Sequence, residues 1–93
     1  MSRQNPDYLK ATENYPEQCT LIAMEECSEL IQAISKAKRG KLNKDNLTEE
    51  IADVLICIHW IQKIYHITMG DIYKWIDKKE ERIMDRLDKG EFK

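Results

Sequence analysis

The stretch Glu50-Ile-Ala-Asp-Val-Leu-Ile-Cys-Ile-His-Trp-Ile61 decides the fold of this chain of 93 residues. Nine of the eleven residues from Ile51 to Ile61 are apolar, and the helical spacing of apolar residues continues to Tyr65. A helix that is apolar almost all round must be covered on every side. Two further helices from so short a chain cannot cover it well. The stretch therefore predicts a helical subunit that is completed by other copies of itself.

End signals on both sides of this stretch predict three long helices. The first is expected over residues 16–38, beginning at Pro16 and stopping before Gly40. The second is expected from about residue 47 to 66, after a capping box formed by Asn46 and Glu49. The third is expected from about residue 71 to 89, capped by Thr68 or Asp71 and ended by Gly90.

The chain is interpreted as one domain, residues 1–93. It consists of an N-terminal arm, residues 1–15, which could include a helical turn, and a helical core, residues 16–89. No segment favours a strand. The expected fold class is all-α, an antiparallel helical bundle completed by oligomerisation, as a homodimer or a homotetramer.

Charge and composition exclude several classes of function. The formal net charge is −2, from 15 basic and 17 acidic residues, whereas nucleic-acid binders carry a strongly basic surface. The most apolar run is far shorter than a membrane span and contains Asp53. Residues Met1 to Pro6 are polar and do not resemble a secretory signal.

The chain has three cysteines, Cys19, Cys27 and Cys57, which is an odd number, and none are in CxxC spacing. This pattern favours buried free thiols in a reducing cytoplasm.

Two carboxylate pairs lie inside the apolar patterns of the first two helices. Glu26 and Glu29 form the first pair, and Glu50 and Asp53 form the second. Residues three apart on a helix share a face, so each pair directs two acids to one side. Acids turned towards an interior repel one another and lose hydration. Because Mg²⁺ binds carboxylate oxygens, the pattern predicts a magnesium site between two helices.

The third helix carries a basic residue on its apolar line. Lys79 lies between Ile76 and Ile83, at a position that the periodicity assigns to the core. It could bind an anionic ligand, form an ion pair with one of the acids, or extend past the core to solvent.

The histidines do not add a metal motif. His59 lies off the line of Glu50 and Asp53, and neither histidine forms the Glu-x-x-His pair of di-iron bundles. His59 is therefore expected to be structural or exposed.

These motifs together resemble the MazG-type all-α nucleoside triphosphate pyrophosphohydrolases, whose signature is ExxE, a spacer, then ExxD. Residues 25–30 and 49–54 carry the two halves of the signature here, with Ala52 where the family often has Gly. The similarity extends over about residues 15–92, and the short length is most similar to single-domain members of phage or Firmicute type.

The resemblance implies hydrolysis of a nucleoside triphosphate to the monophosphate and pyrophosphate, as in the house-cleaning of nucleotide pools. It implies that Glu26, Glu29, Glu50 and Asp53 form the catalytic metal site for Mg²⁺, which Mn²⁺ could replace. It further implies that Lys79 and Arg82 bind phosphate and that Gln18 lies near the nucleotide. Two alternatives stay open, namely a non-enzymatic helical module that senses a nucleotide or binds a protein, and a dimeric phosphohydrolase of dUTPase type.

Overall fold

The computed structural model describes residues 7–92, and within this range the chain is all-α. A 3₁₀ turn, Asp7–Lys10, leads into a short helix α1, Ala11–Asn14. Three long helices follow: α2 at Pro16–Lys38, α3 at Lys44–Tyr65 and α4 at Met69–Asp88. No strand occurs in the described range. The first six residues of the predicted arm, 1–6, lie outside the described residues.

The predicted end of α2 is confirmed. Gly40 has a φ of +80°, a left-handed conformation that glycine adopts without steric cost. The amide of Gly40 donates to the carbonyl of Ala37, and that of Lys41 donates to the carbonyl of Lys36 at 2.9 Å. This pair of hydrogen bonds is the Schellman motif, which satisfies the last carbonyl groups of the helix.

The predicted start of α3 was wrong by three residues. The helix begins at Lys44, because Asn43 and not Asn46 adopts the extended conformation of an N-cap. The side-chain oxygen of Asn43 accepts a hydrogen bond of 3.0 Å from the backbone amide of Asn46. The backbone amide of Asn46 is therefore the group that the cap satisfies, and the Asn46 side chain is not the N-cap.

The start of α4 also lies earlier than expected, at Met69. The sequence predicted either Thr68 or Asp71 as the N-cap, and Thr68 is the N-cap. Its hydroxyl accepts from the amide of Asp71 at 3.0 Å, and the Asp71 carboxylate accepts from the amide of Thr68 at 3.1 Å. This reciprocal capping box lowers the pKa of Asp71, because the hydrogen bonds from Thr68 favour the charged carboxylate.

Helices α2 and α3 pack against each other as a helical hairpin, joined by the connection 39–43. The 3₁₀ turn and α1 pack against this hairpin. On α2 one line at helical spacing is buried or half-buried throughout, and the same is true of one line on α3. The line on α2 is Cys19, Ala23, Glu26, Leu30 and Ala33; the line on α3 is Glu50, Asp53, Cys57, Trp60 and Ile64.

These buried lines correct the predicted packing. On α2 the periodicity of the sequence favours burial of the apolar stripe Ala23, Cys27, Leu30, Ile34 and Ala37, but Cys27 and Ile34 are exposed. On α3 the more apolar stripe is the more exposed one, since Ile51 and Ile58 are 46% and 43% exposed. The acid-bearing line is the one that faces the neighbouring helix. Glu26, Glu50 and Asp53 are thus buried or half-buried, whereas much of the aliphatic surface of both helices stays open within one chain.

Helix α4 does not close a bundle within the chain. Within residues 7–92 it does not pack along another helix, and Ile72 is its only half-buried residue. Ile76 and Leu87 are 47% and 52% exposed. Lys79, which the periodicity assigned to the core, is exposed as well. The antiparallel bundle predicted for residues 16–89 is therefore reduced, in one chain, to a hairpin with a projecting helix.

Within the described part of the chain, no helix combines the length and the apolar character that crossing a membrane requires.

Candidate metal centre

The acids of α2 and α3 meet where the two buried lines face each other. Glu26, Glu29 and Glu50 each offer a carboxylate oxygen, and these three oxygens lie within 4.8 Å of one another. Glu50 is the most buried of the three at 9% exposure, Glu26 is half-buried and Glu29 is exposed. The cluster therefore has a closed side at Glu50 and an open side at Glu29, from which a ligand could enter.

Asp53 lies one helical turn beyond Glu50 and is half-buried. It is not part of the tight group of three, but it borders a pocket together with Glu26. Its charge contributes to the raised pKa values of both Glu26 and Glu50. All four predicted carboxylates therefore lie close enough to affect one another's charge, and Asp53 lies outside the tight group of three.

The pKa values of the cluster show the cost of assembling these acids. Burial, followed by the neighbouring charges of Glu29 and Asp53, raises the pKa of Glu26 from 4.5 to about 7. Burial and the same two neighbours also raise the pKa of Glu50. Both shifts have the sign expected when carboxylates lose water and face like charges.

Two carboxylate oxygens of the cluster lack a hydrogen-bond partner that a cation could replace. Oε2 of Glu26 and Oε2 of Glu50 are both buried, and neither has a hydrogen-bond partner among the described residues. A buried carboxylate oxygen without a partner is unfavourable. A hard divalent cation such as Mg²⁺ or Mn²⁺ would satisfy both oxygens and offset the repulsion. The residues present therefore fit a metal ion of this class.

The metal-free protein should lose stability as the pH rises across the titration of Glu26. Between about pH 4.5 and about pH 7, folded Glu26 keeps a proton that the unfolded chain has released. Unfolding therefore releases a proton, and the free energy of unfolding falls as the pH rises through this window. We expect a melting temperature in EDTA that is higher at the acidic end of the window than above it.

The stabilisation by Mg²⁺ should increase as the pH rises, because Mg²⁺ binds the deprotonated carboxylates. Its stabilising effect should be largest above the pKa of Glu26 and fade towards pH 4.5. Thermal unfolding monitored by circular dichroism, with and without Mg²⁺, measures both trends. Glu26→Gln should flatten the pH dependence in EDTA, and Glu25→Gln is the matched control. A variant lacking Glu26 that kept the full pH dependence would contradict this assignment.

The other predicted site residues do not join the acids within one chain. Lys79 and Arg82 are exposed on α4, and neither forms an ion pair within residues 7–92. Gln18 is exposed on α2, eight residues before Glu26, or about 12 Å along the helix.

Two aromatic residues beside the acids were not predicted as site residues. Tyr8 and Trp60 border the same pocket as Glu26 and Asp53. The backbone carbonyl of Tyr8 accepts a hydrogen bond of 2.8 Å from the indole nitrogen of Trp60. Trp60 lies on the line of Glu50 and Asp53, which is a signal that sequence reasoning could have used. Tyr8 belongs to a single 3₁₀ turn, which is too short to show any periodicity.

The three cysteines are free, as expected, but only two are buried. Burial, followed by the charge of Glu26, raises the pKa of the Cys57 thiol to about 11. Burial likewise raises the pKa of Cys19. Both thiols therefore stay protonated and unreactive near neutral pH. Cys27 is exposed, which corrects the expectation that all three are buried.

Comparison with known families identifies the family to which this chain belongs. Residues 14–86 match the family model described as the MazG nucleotide pyrophosphohydrolase domain. The match covers most of the chain and spans both carboxylate pairs as well as Lys79 and Arg82. Comparisons with curated proteins and with solved structures gave no match. The resemblance seen in the sequence is thereby confirmed, and the chain belongs to the MazG nucleotide pyrophosphohydrolase family.

Proposed function

We propose that this protein is a Mg²⁺-dependent pyrophosphohydrolase that converts nucleoside triphosphates to the monophosphate and pyrophosphate. The observation that carries the proposal is the group of three carboxylates, Glu26, Glu29 and Glu50, with two buried oxygens that lack a partner. Membership of the MazG family supports the reaction type. Clearing unwanted nucleotides from the pool is the role that we assign to this activity. Three free thiols favour a reducing, cytoplasmic location.

The acids would hold the metal, and Asp53 would complete the set from its place one turn beyond Glu50. When bound, Mg²⁺ would neutralise the phosphates and lower the pKa of the attacking water. The chain itself positions the carboxylates on two packed helices, where the hairpin fixes their separation. One carboxylate of the cluster would also accept the proton of the attacking water, as a general base does.

We also propose that Lys79 and Arg82 bind the phosphates and that Gln18 contacts the nucleotide. The support for Lys79 is its position between Ile76 and Ile83, which makes an exposed apolar stripe basic at its centre. Because α4 does not pack along another helix within residues 7–92, these two side chains can reach an acid cluster only when α4 finds a partner surface. The exposed apolar residues of α2 and α3, in this chain or in another copy, would supply that surface.

A homodimer or homotetramer is therefore part of the proposal. Leu55, Ile51 and Ile58 form an exposed stripe on α3, and α4 presents a second exposed apolar stripe. Large contiguous apolar patches are rare on monomeric proteins and commonly mark interfaces.

We expect light scattering at micromolar concentration to give a multiple of the 11.0 kDa chain mass. Leu55→Glu should shift the protein towards the monomer, because a charge at the centre of the stripe would have to be buried without a partner. Gln32→Glu, an exposed change of the same charge on α2, is the control. A wild-type protein that stays at 11.0 kDa would contradict the proposed assembly.

Product analysis tests the reaction itself. The purified protein is incubated with Mg²⁺ and each of the common ribo- and deoxyribonucleoside triphosphates, and pyrophosphate and orthophosphate are measured separately. Release of pyrophosphate that is absent in Glu50→Gln supports the proposal. Release of orthophosphate would point to another phosphohydrolase. Binding of a nucleotide without turnover would support the non-enzymatic sensing module.

A further inference from the structure

An apolar pocket of about 220 Å³ lies where the hairpin meets the start of α4. Its lining comes from α2, α3, the connection after α3 and Ile72 of α4, and it consists of alanine, isoleucine, two cysteines and one glutamine. This pocket is distinct from the one that Glu26 and Asp53 border, and Cys57 lines both. Among the described residues no carboxylate lines the apolar pocket, so the reaction at the acid cluster gives it no task.

Gln62 is the most polar residue of this lining, and only one end of its amide has partners. Nε2 donates to the carbonyl of Ile67 at 3.4 Å and to Sδ of Met69 at 3.3 Å. Oε1 is buried and has no hydrogen-bond partner in the described part of the chain. A buried amide oxygen without a donor is unfavourable. The terminal torsion of glutamine is soft, so the oxygen can turn towards the pocket, where a donor on a ligand would satisfy it.

The volume and the lining limit what this pocket can receive. An engineered cavity of about 150 Å³, lined by Leu, Ile and Phe, binds benzene, so 220 Å³ is enough for one ring or two fused rings. Sites for a whole drug-sized ligand measure roughly 300–1,000 Å³. A charged ligand would lose its hydration here without gaining an ionic partner from the lining. A nucleotide is therefore both too large and too charged for this pocket.

We propose that this pocket is a second ligand site, that it takes a small uncharged aromatic molecule with one N–H or O–H donor, and that Oε1 of Gln62 accepts the hydrogen bond. Indole and phenol belong to this chemical class. The proposal is independent of the proposed function, because the pocket lies outside the acid cluster.

A second copy of the chain is the competing occupant, because Ile58 belongs both to this pocket and to the exposed stripe on α3. The stripes proposed for assembly are aliphatic, and aliphatic side chains have no donor to offer Gln62. The buried oxygen without a partner therefore favours a ligand that carries a donor.

Cys27 provides the readout, because it lines the pocket and is exposed, whereas Cys19 and Cys57 are buried. The rate at which dithionitrobenzoate modifies Cys27 is measured in the wild-type protein at increasing concentrations of indole. A bound ligand shields the thiol, so we expect this rate to fall with saturation. Benzofuran is the matched compound, since it has the shape of indole but an oxygen in place of the N–H group. We expect indole to bind about tenfold more tightly than benzofuran.

Two variants separate the hydrogen bond from the shape of the pocket. Gln62→Met keeps the length of the side chain but removes the strong acceptor, so indole should lose its advantage while benzofuran keeps its wild-type affinity. Ile58→Trp should fill the pocket and abolish the binding of both compounds. Ile51→Trp is the matched control, because Ile51 lies on the same exposed stripe but does not line the pocket. Circular dichroism checks that the helices persist in each variant.

Saturable protection by indole that is lost in Ile58→Trp, and whose preference over benzofuran is lost in Gln62→Met, supports the inference. No protection at any indole concentration, or equal binding of indole and benzofuran to the wild type, would overturn it. A Cys27 that does not react even without a ligand would also overturn it, because a second copy would then cover the pocket. Glu50→Gln should bind indole as the wild type does, so a failure of this inference and a failure of the proposed function are distinguishable.

Discussion

Replacing Glu50 by glutamine will remove most of the activity while leaving the helical fold intact. Glu50 is the most buried acid of the cluster, and its Oε2 has no hydrogen-bond partner among the described residues. Mutation of residues that merely support a metal ligand costs roughly 10–100-fold, so loss of a direct ligand should cost more than about 100-fold in kcat/KM. Asp53→Asn should behave similarly, because Asp53 shares the electrostatic neighbourhood of Glu26 and Glu50.

The same variant should be more stable than the wild type when no metal is present. Its uncharged amide removes a carboxylate whose pKa is raised by burial and by Glu29 and Asp53. Mg²⁺ should raise the melting temperature of the wild type and have little effect on the variant. Glu49→Gln is a closely matched control, since Glu49 is the preceding residue and is exposed. Unchanged Mg²⁺ affinity in Glu50→Gln, measured by calorimetry, would remove Glu50 from the site.

Lys79→Met is expected to have the second-largest effect on activity. If Lys79 stabilises charge on the phosphates, its removal should lower kcat/KM by roughly 10²–10³-fold, as for loss of one charge-stabilising donor. The metal-free melting temperature should change little, because Lys79 is exposed and forms no ion pair in the described part of the chain. The Mg²⁺-induced rise in melting temperature should also be retained. Normal turnover in the variant would refute the role of Lys79.

Lys78→Met is the matched control for this prediction. Lys78 is the preceding residue on α4, and its ammonium lies over the ring of Trp75 at 5.1 Å from the centroid. Both changes remove one positive charge from the same helix, but only Lys79 shares the line of Ile76 and Ile83. If any positive charge on α4 promotes triphosphate binding, kcat/KM should fall in both variants. If Lys79 makes a specific contact with phosphate, kcat/KM should fall only in Lys79→Met.

Mixing inactive variants tests whether α4 serves its own chain or a second copy. Glu50→Gln and Lys79→Met are unfolded together and refolded, so that mixed oligomers form. If Lys79 acts on the acids of another copy, a mixed dimer has one intact site, and random pairing restores about a quarter of the wild-type activity. If Lys79 acts within its own chain, every site keeps one defect and the mixture stays inactive.

The ends of the helices could be predicted from the sequence because their causes are local. Pro16 and Gly40 bound α2 through backbone geometry that neighbouring residues determine. Thr68 and Asp71 cap α4 through a reciprocal pair of hydrogen bonds three residues apart. The start of α3 was missed because Asn43 and Asn46 carry the same side chain, and only the extended backbone of Asn43 makes it the cap.

Which side of each helix is buried could not be predicted equally well. On α2 the apolar stripe through Ala23, Cys27, Leu30 and Ile34 shares Ala23 and Leu30 with the buried line that contains Glu26, and this stripe is the more hydrophobic of the two. Hydrophobicity alone therefore favoured a stripe that includes the exposed Cys27. In the hairpin, the small side chains of Ala23 and Ala33 allow close packing on α3, and Glu26 is carried inward between them.

The sequence by itself determined that this protein is a helical member of the MazG family with two carboxylate pairs on successive helices. Motif spacing and helix periodicity are properties of the linear chain, so they can be recognised without knowing how the helices pack. Only the tertiary structure decided that Glu26, Glu29 and Glu50 converge, that Tyr8 is fastened beside them, and that α4 projects without a partner in the described chain. These features depend on contacts between residues far apart in sequence. Tyr8 and Trp60 are 52 positions apart, and no local pattern specifies such a pairing.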